Sequence, residues 1–387
     1  MRKTFLPFAR PSIGEEEISE LADTLRSGWI TTGPKVERFT AAFAEYVQGR
    51  FVVPVSSATA GLHVALLALG VGPGDEVITA PMTFVATLNT IVHAGARPVL
   101  ADIDASTLNV RVEEIEHRLT PRTRAILPVH FVGQPADLDP ILELAASRGI
   151  AVLEDAAHAV GAEYKGRRIG SFPTTSVFSF HPNKNMTTGE GGMVVTDDES
   201  VFEKASLLKF HGMDRESWKR FARAGSPRYD VVLPGFKYNM MDIQAALGLH
   251  QLKRLEGFLQ ERRRLADRYN ERLTGVAGLI LPQRVPYPIR HAWHLYTPLL
   301  DLDRVRIGRD RFQEELKKRN IGTGLHYTAA HEFSYYASGF GWRPEDFPEA
   351  HFVSERILSL PLFPGLTDAD QDDVIEAVSE VLREFQR

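Results

Sequence analysis

Short β-branched runs alternate with helical stripes through the first two-thirds of the chain, the pattern of a mostly parallel sheet covered by helices. Phe51 to Val55 reads as a strand. The helix after it carries Leu62, Ala65, Leu66 and Leu69 at helical spacing and ends at Gly70. Strand Glu76 to Thr79 and helix Thr83 to His93 come next. Pro98 to Ile103, Arg124 to Val129 and Ile150 to Leu153 predict further strands, with helices near Val112 to Leu119 and Leu138 to Ser147 between them. Right-handed crossovers follow from that order. Ahead of the sheet, Ser12-Ile13-Gly14-Glu15 fits a capping box for a helix ending at Gly28, and Val36, Phe39, Phe43 and Val47 form an apolar stripe.

From Met240 to Leu273 the chain is rich in Leu, Arg and Glu at helical spacing, which predicts a long helix bridging to a smaller domain. Within it, Arg262-Arg263-Arg264 reads as a solvated face. The remainder offers a strand at Ala292 to Leu299, helices near Gly308 to Lys318 and Asp368 to Phe385, and aromatic loops between them. A chain of 387 residues exceeds the size at which one core stops growing. Two domains are expected, residues 1–250 and 251–387, the second smaller and α+β.

Bulk properties narrow the function. No stretch approaches the roughly 18 apolar residues of a membrane span, and the N-terminus lacks the roughly 7 to 15 apolar residues of a signal peptide. A formal charge of −5 argues against a nucleic-acid partner. The chain has no cysteine, which removes disulfides, thiolate nucleophiles and cysteine-held metal clusters. A cytoplasmic protein is expected. His130, His181, His326 and His331 show no zinc-helix spacing, so no metal site is expected. Gly70, Gly72 and Gly74 follow a helix and precede a strand, the reverse of a dinucleotide loop.

The chemistry concentrates around Lys184. It lies between the apolar run Thr175 to Phe180 and a glycine-rich turn leading into Met193-Val194-Val195-Thr196. A free lysine amine, with pKa about 10.4, is less than roughly 0.1% neutral at pH 7, so the site has to tune it for imine chemistry. Asp155, in Glu154-Asp155-Ala156-Ala157-His158, falls at the C-terminal end of a predicted strand. Together the two residues suit pyridoxal phosphate: the amine holds the aldehyde, and the carboxylate keeps the ring nitrogen protonated. Each taken singly is more often structural, as a loop lysine or a helix cap; their joint placement favours chemistry. Ser56-Ser57-Ala58-Thr59-Ala60-Gly61 opens a helix whose N-terminal N–H groups suit a phosphate, although an ordinary cap has the same pattern. Ser179 could donate to that phosphate, and Phe84 could stack on an aromatic ring, though phenylalanine at this spacing is more often core. His158 could orient Asp155 or touch the cofactor; a structural histidine is an equal alternative.

Gly28-Trp29-Ile30-Thr31-Thr32-Gly33-Pro34, the Ser56 to Gly61 loop, Glu154 to His158 and the Lys184 segment together resemble the sugar aminotransferases of the DegT/DnrJ/EryC1/StrS family, over nearly the whole chain. The resemblance implies a fold-type I pyridoxal phosphate transferase with a mostly parallel, seven-stranded-type sheet. It also implies a homodimer with shared active sites, and transfer of an amino group from glutamate to a keto group of a nucleotide-linked sugar. Carried over residue by residue, Lys184 is catalytic, Asp155 pairs with the ring nitrogen, Ala58, Thr59 and Ser179 bind phosphate, and Phe84 stacks on the ring. Asn239, in Gly235-Phe236-Lys237-Tyr238-Asn239, reaches the neighbouring subunit's phosphate.

A narrower likeness within the family rests on Phe5-Leu6-Pro7-Phe8, the Gly28 to Pro34 stretch, Ile321 to His326 and Leu358 to Pro364. It implies that a UDP-linked 4-keto pentose is converted to UDP-4-amino-4-deoxy-L-arabinose, the chemistry of lipopolysaccharide or lipid A modification. Trp29, Thr31, Thr32, His326 and His331 are the expected sugar-side contacts. The alternatives are a different UDP- or dTDP-keto sugar aminated at C3 or C4, and a catalytically silent cofactor-binding regulator. A dehydrase of the same fold is disfavoured, because such members replace the lysine with histidine or bind an iron–sulfur cluster through cysteine.

Overall fold

The computed structural model describes residues 2–214 and 229–387. In chain order the strands are β1 (Phe51–Val55), β2 (Glu76–Thr79), β3 (Arg97–Leu100), β4 (Thr123–Leu127), β5 (Ala151–Asp155), β6 (Glu163–Tyr164), β7 (Arg167–Arg168), β8 (Thr175–Ser179), β9 (Gly192–Thr196), β10 (Leu279–Ile280), β11 (Ile289–Arg290) and β12 (Leu299–Leu300). The helices are α1 (Glu15–Ser27), α2 (Pro34–Val47), α3 (Ala58–Ala68), α4 (Val85–His93), α5 (Val112–Arg118), α6 (Leu138–Arg148), α7 (Glu199–Leu208), α8 (Asp242–Leu273), α9 (Arg309–Lys318), α10 (Ser334–Phe340), α11 (Pro348–Arg356) and α12 (Asp368–Glu384).

Seven strands form the central sheet, in the order β1-β9-β8-β5-β4-β2-β3. Pairs β2–β3, β2–β4, β4–β5 and β5–β8 are parallel, and β9 alone runs against its neighbours, antiparallel to both β8 and β1. Helices cover both faces, so β8 and β9 are buried at every position, which explains runs of apolar residues where a one-sided sheet would alternate. On one face Phe39 and Phe43 of α2 meet Phe178 and Phe180 edge-on or tilted, with ring centroids 5.3–5.5 Å apart. On the other face α3 and α7 contribute to a core with Val53, Val177 and Val194.

Helix α8 crosses the 250/251 division unbroken. Its first half lends Ala245, Leu249, Leu255 and Leu259 to the α2 side of the sheet, and its second half lends Leu265, Ala266, Tyr269 and Leu273 to a separate core with α9 and α12. Leu6 joins that second core, since its N–H donates to Asn320 O and its carbonyl accepts from Gly322 N–H.

Three local expectations are corrected. The α1 cap is Gly14, whose N–H donates to Glu17 Oε2 at 2.8 Å, while the Ser12 hydroxyl accepts from Arg254 instead. The side chain three residues into the helix does the capping, so no hydroxyl is needed at the cap. Ala292 to Leu299 is not one strand: Ala292 and His294 donate to Gly133 and Val132 carbonyls, Trp293 has φ 46°, and only Leu299 enters a strand. Its backbone groups are spent on the loop at the edge of the site. Arg262 is not solvated but 2% exposed, with Nη1 donating to the carbonyls of Trp293, His294 and Leu362 at 3.0–3.3 Å. These carbonyls lie in irregular chain with no ladder partner, and a guanidinium supplies donors that a helix backbone cannot.

Leucine at position 262 would leave these acceptors bare. Arg262→Leu is expected to lower stability by about 3 kcal/mol, read as a fall in the urea midpoint at unchanged slope.

Candidate active site

Parallel sheets collect ligands beyond the C-terminal ends of their strands, and a cavity of ≈ 350 Å³ opens there. Three strand ends feed it. Strand β1 runs into Ser57, the N-cap of α3, whose hydroxyl accepts from Ala60 N–H at 3.1 Å. The first N–H groups of a helix have no partner inside it and carry its positive end, so Ala58 and Thr59 present an anion site at the cavity wall. Close approach of β9 makes this wall possible. A Cβ on Gly192 would stand 2.8 Å from Ala58 N and 2.7 Å from the Phe178 carbonyl oxygen.

Strand β5 ends in two adjacent acids that face opposite ways. Glu154 is fully buried, bonded to Thr174, to Ser176 Oγ at 3.0 Å and to His130 Nε2 at 2.7 Å. His130 Nδ1 accepts from Ala136 N–H, so its Nε2 carries the proton and donates. Asp155 points into the cavity. Its Oδ2 accepts from Thr87 Oγ1 at 2.7 Å, its Oδ1 accepts from Ala157 N–H at 3.1 Å, and Thr83 Oγ1 lies 2.7 Å from Thr87 Oγ1 behind it.

Strand β8 ends at Ser179, and the turn that follows brings Lys184 to the same cavity, with Lys184 N–H donating to His181 O. Lys184 and Asp155 therefore share one wall-to-wall space. Burial pushes the Lys184 amine down to about 8, against the opposing pull of the Asp155 charge. Lys184 Nζ lies 3.4 Å from His294 Nε2, and the His294 ring centroid lies 4.4 Å from that of His158. Both imidazoles are driven well below the usual histidine range, first by burial and then by the positive Lys184. His158 does not bond Asp155; its Nε2 meets Tyr327 OH at 3.1 Å, and its Nδ1 is buried without a partner. Burial and the Asp155 charge raise the Tyr327 hydroxyl. Phe84, half exposed at the start of α4, tilts against Tyr327 with centroids 5.6 Å apart.

Ala58, Thr59, Phe84, Asp155, His158, Ser179 and Lys184 thus line one cavity, as the sequence places them. Asn239 and the five residues expected on the sugar side are not part of this lining. Asn239 Nδ2 donates to Thr32 Oγ1 at 2.7 Å, Thr32 Oγ1 donates to Met240 O, the Thr31 carbonyl accepts from Asp242 N–H, and Trp29 Nε1 donates to Thr32 O at 2.9 Å. These four residues cluster around the start of α8, outside the cavity lining. His326 is buried against Phe8 and bonds Ser359 Oγ at 2.8 Å through Nδ1. Burial, with the Lys184 charge adding to it, takes His326 down to about 4. His331 is fully buried in the turn Ala330–Glu332, away from the cavity, because the turn directs it toward α11.

Sequence reasoning missed Thr87, His294 and Tyr327. Thr87 lies one helical turn from Thr83, a signal that could have been used; His294 and Tyr327 carry none, since their partners are 110 and 169 residues away.

The donor set fits a phosphorylated pyridine aldehyde: a helix N-terminus with hydroxyls for the phosphate, Asp155 for a protonated ring nitrogen, Lys184 for the carbonyl, and the exposed face of Phe84 for the ring. Comparison with known proteins agrees. The DegT/DnrJ/EryC1/StrS aminotransferase family profile matches residues 11–379. The spore coat polysaccharide biosynthesis protein SpsC of Bacillus subtilis is 49% identical over 383 residues, 99% of this chain and 98% of its own. The putative sugar aminotransferase Spr1654 from Streptococcus pneumoniae, solved in its PMP form, superposes with a TM-score of 0.92 at 35% identity over 98% of this chain and 99% of that one. Its PLP form gives 0.90. Helicobacter pylori PseC, an aminotransferase involved in pseudoaminic acid biosynthesis, gives 0.90 at 28% identity over 99% and 100% of the two chains. The architecture is that of fold-type I transferases, and the chain belongs to the DegT/DnrJ/EryC1/StrS aminotransferase family.

Proposed function

We propose that this protein moves an amino group from glutamate to a keto group of a nucleotide-linked sugar, with a UDP-linked 4-keto pentose as the preferred acceptor and UDP-4-amino-4-deoxy-L-arabinose as product. It is a pyridoxal-phosphate-dependent sugar aminotransferase. The observation that carries this reading is the meeting of the Lys184 amine, the Asp155 carboxylate and the α3 N-terminus in one cavity.

When bound, pyridoxal phosphate supplies an aldehyde for amine exchange and a ring that accepts electrons. The chain's own groups do the rest. Lys184, near 8, is about one-tenth neutral at pH 7, roughly two-hundredfold more than a free lysine, and so can take or give a proton in the cavity. His294 Nε2, kept neutral by burial, is a lone pair within reach of that amine. Asp155, held by Thr87 and Ala157, offers a fixed negative charge to a ring nitrogen. Ala58, Thr59 and Ser179 would hold its phosphate, and Phe84 would lie against its ring.

Homodimer formation with shared sites is supported by the group around Asn239. Trp29, Ile30 and Met241 are 52%, 48% and 40% exposed there, three large apolar side chains that a partner subunit would cover. In this reading Asn239 reaches the phosphate of the partner subunit, and Trp29, Thr31 and Thr32 face the partner's sugar. The pentose assignment rests on the sequence likeness of Phe5–Phe8, Ile321–His326 and Leu358–Pro364, segments that pair with one another through Gly322 N–H to Leu6 O, Leu362 N–H to Phe8 O and Gly324 N–H to Ser359 O. The second reading is amination of another UDP- or dTDP-keto sugar at C3 or C4.

Glutamate alone should release one 2-oxoglutarate per site and leave pyridoxamine phosphate bound, and a panel of UDP- and dTDP-keto sugars should then reverse the conversion, fastest with the UDP-4-keto pentose. A wild-type protein that binds pyridoxal phosphate yet releases no 2-oxoglutarate would point to the silent regulator. Lys184→Ala is expected to slow release by at least about a hundredfold, measured by single-turnover absorbance. Because the Lys184 amine is lowered to about 8, uptake of pyridoxal phosphate by the cofactor-free protein should accelerate as pH rises from 6.5 toward 8 and level off above it, followed by stopped-flow absorbance.

A further inference from the structure

Outside the cavity, the described residues bring together a group of metal-ligand type that no spacing along the chain announces. His331 and Glu332 share the turn Ala330–Glu332, and His351 stands on α11; one ligand atom from each lies within 4.8 Å of the others. Glu332 Oε1 is 2.7 Å from His351 Nδ1 and 3.8 Å from His331 Nε2. His331 is 0% exposed, yet neither of its ring nitrogens has a hydrogen-bond partner. A fully buried imidazole with both nitrogens unpaired is a costly arrangement, and an ion on Nε2 would relieve one of the two.

The surroundings orient these ligands. Ser354 Oγ donates to Glu332 Oε2 at 2.7 Å and in turn accepts from Ala329 N–H at 2.9 Å, which leaves Oε1 turned toward the two imidazoles. His351 Nε2 stands 3.8 Å from Glu355 Oε2, which leaves Nδ1 facing the group. Outer carboxylates and hydroxyls of this kind fix ring orientation at metal centres. Asp102 is not a competing ligand, because its oxygens accept from Glu349 and Ala350 N–H.

We propose that His331 Nε2, Glu332 Oε1 and His351 Nδ1 bind a divalent transition-metal ion of the zinc class, at a site separate from the cofactor cavity. Two imidazoles and a carboxylate suit such an ion and not calcium or magnesium, which take oxygen ligands. Ligands about 2.0–2.2 Å from a tetrahedral ion stand roughly 3.4 Å apart, and the two distances from Glu332 bracket that value. Water completes the fourth position. The ion displaces the proton between His351 and Glu332 and ties the turn to α11. That turn also braces the cavity, since Ala330 N–H donates to Pro81 O at 2.8 Å, three residues before Phe84.

Full-length, tag-free protein loaded with pyridoxal phosphate is stripped with a chelator and titrated with zinc chloride alone, by calorimetry and by elemental analysis after gel filtration. One zinc per chain and a raised melting temperature are expected. His351→Ala and Glu332→Gln should each weaken binding at least tenfold and abolish the thermal shift; His351 is partly exposed and Glu332→Gln is isosteric, so both keep the fold. Ser354→Ala, acting through Glu332, should weaken binding by about 10–100-fold. Absence of stoichiometric zinc in the wild type, or zinc binding unchanged in both ligand variants, overturns the proposal.

Discussion

A carboxylate held inside the protein at the end of β5 is the constraint on which the site depends. Burying such a group costs several kcal/mol unless donors meet it, and Asp155 meets two, Thr87 Oγ1 and Ala157 N–H. Thr87 is placed by α4 and backed by Thr83 in the turn before it, so the position of one oxygen is fixed jointly by β5, α4 and that turn. The remaining wall follows. Lys184 enters from the next strand of the sheet, where its amine meets that carboxylate's field while burial lowers its proton affinity.

Strand alternation separates two chemistries at adjacent residues. Glu154 turns into the protein and is spent on His130, Thr174 and Ser176, which tie β5 to the loop after β4 and to the start of β8. Asp155 turns into the cavity. The structural acid thus holds rigid the strand that presents the functional one, consistent with sites built on sheets being more precise than sites built on loops. The imidazoles of His158 and His294 extend the same economy: both are buried, both are kept neutral, and both stand beside a cation without competing for its charge.

The periodicities were legible because they are local. Apolar residues at helical spacing gave α2, α3 and α8, and short, largely apolar runs gave β2, β5 and β8, since each element must hide its own apolar face. Lys184, Asp155 and the α3 N-terminus were legible for a related reason: each follows directly from a strand end, and parallel sheets gather their strand ends on one side. Arg262 defeated the same reasoning. It looks like its neighbours Arg263 and Arg264, and only the carbonyls arriving from Trp293, His294 and Leu362 distinguish it.

Tertiary structure alone decided the pairings between distant segments. His294 reaches Lys184 across 110 residues, Tyr327 reaches His158 across 169, and His351 reaches Glu332 from a different helix. It also left His331 buried outside the cavity lining and gathered Trp29, Thr31, Thr32 and Asn239 around the start of α8. Residue type and spacing fix what a side chain can do and which face of its own element it occupies. What it meets there depends on how separate elements cross, and that is settled by the packing of whole cores.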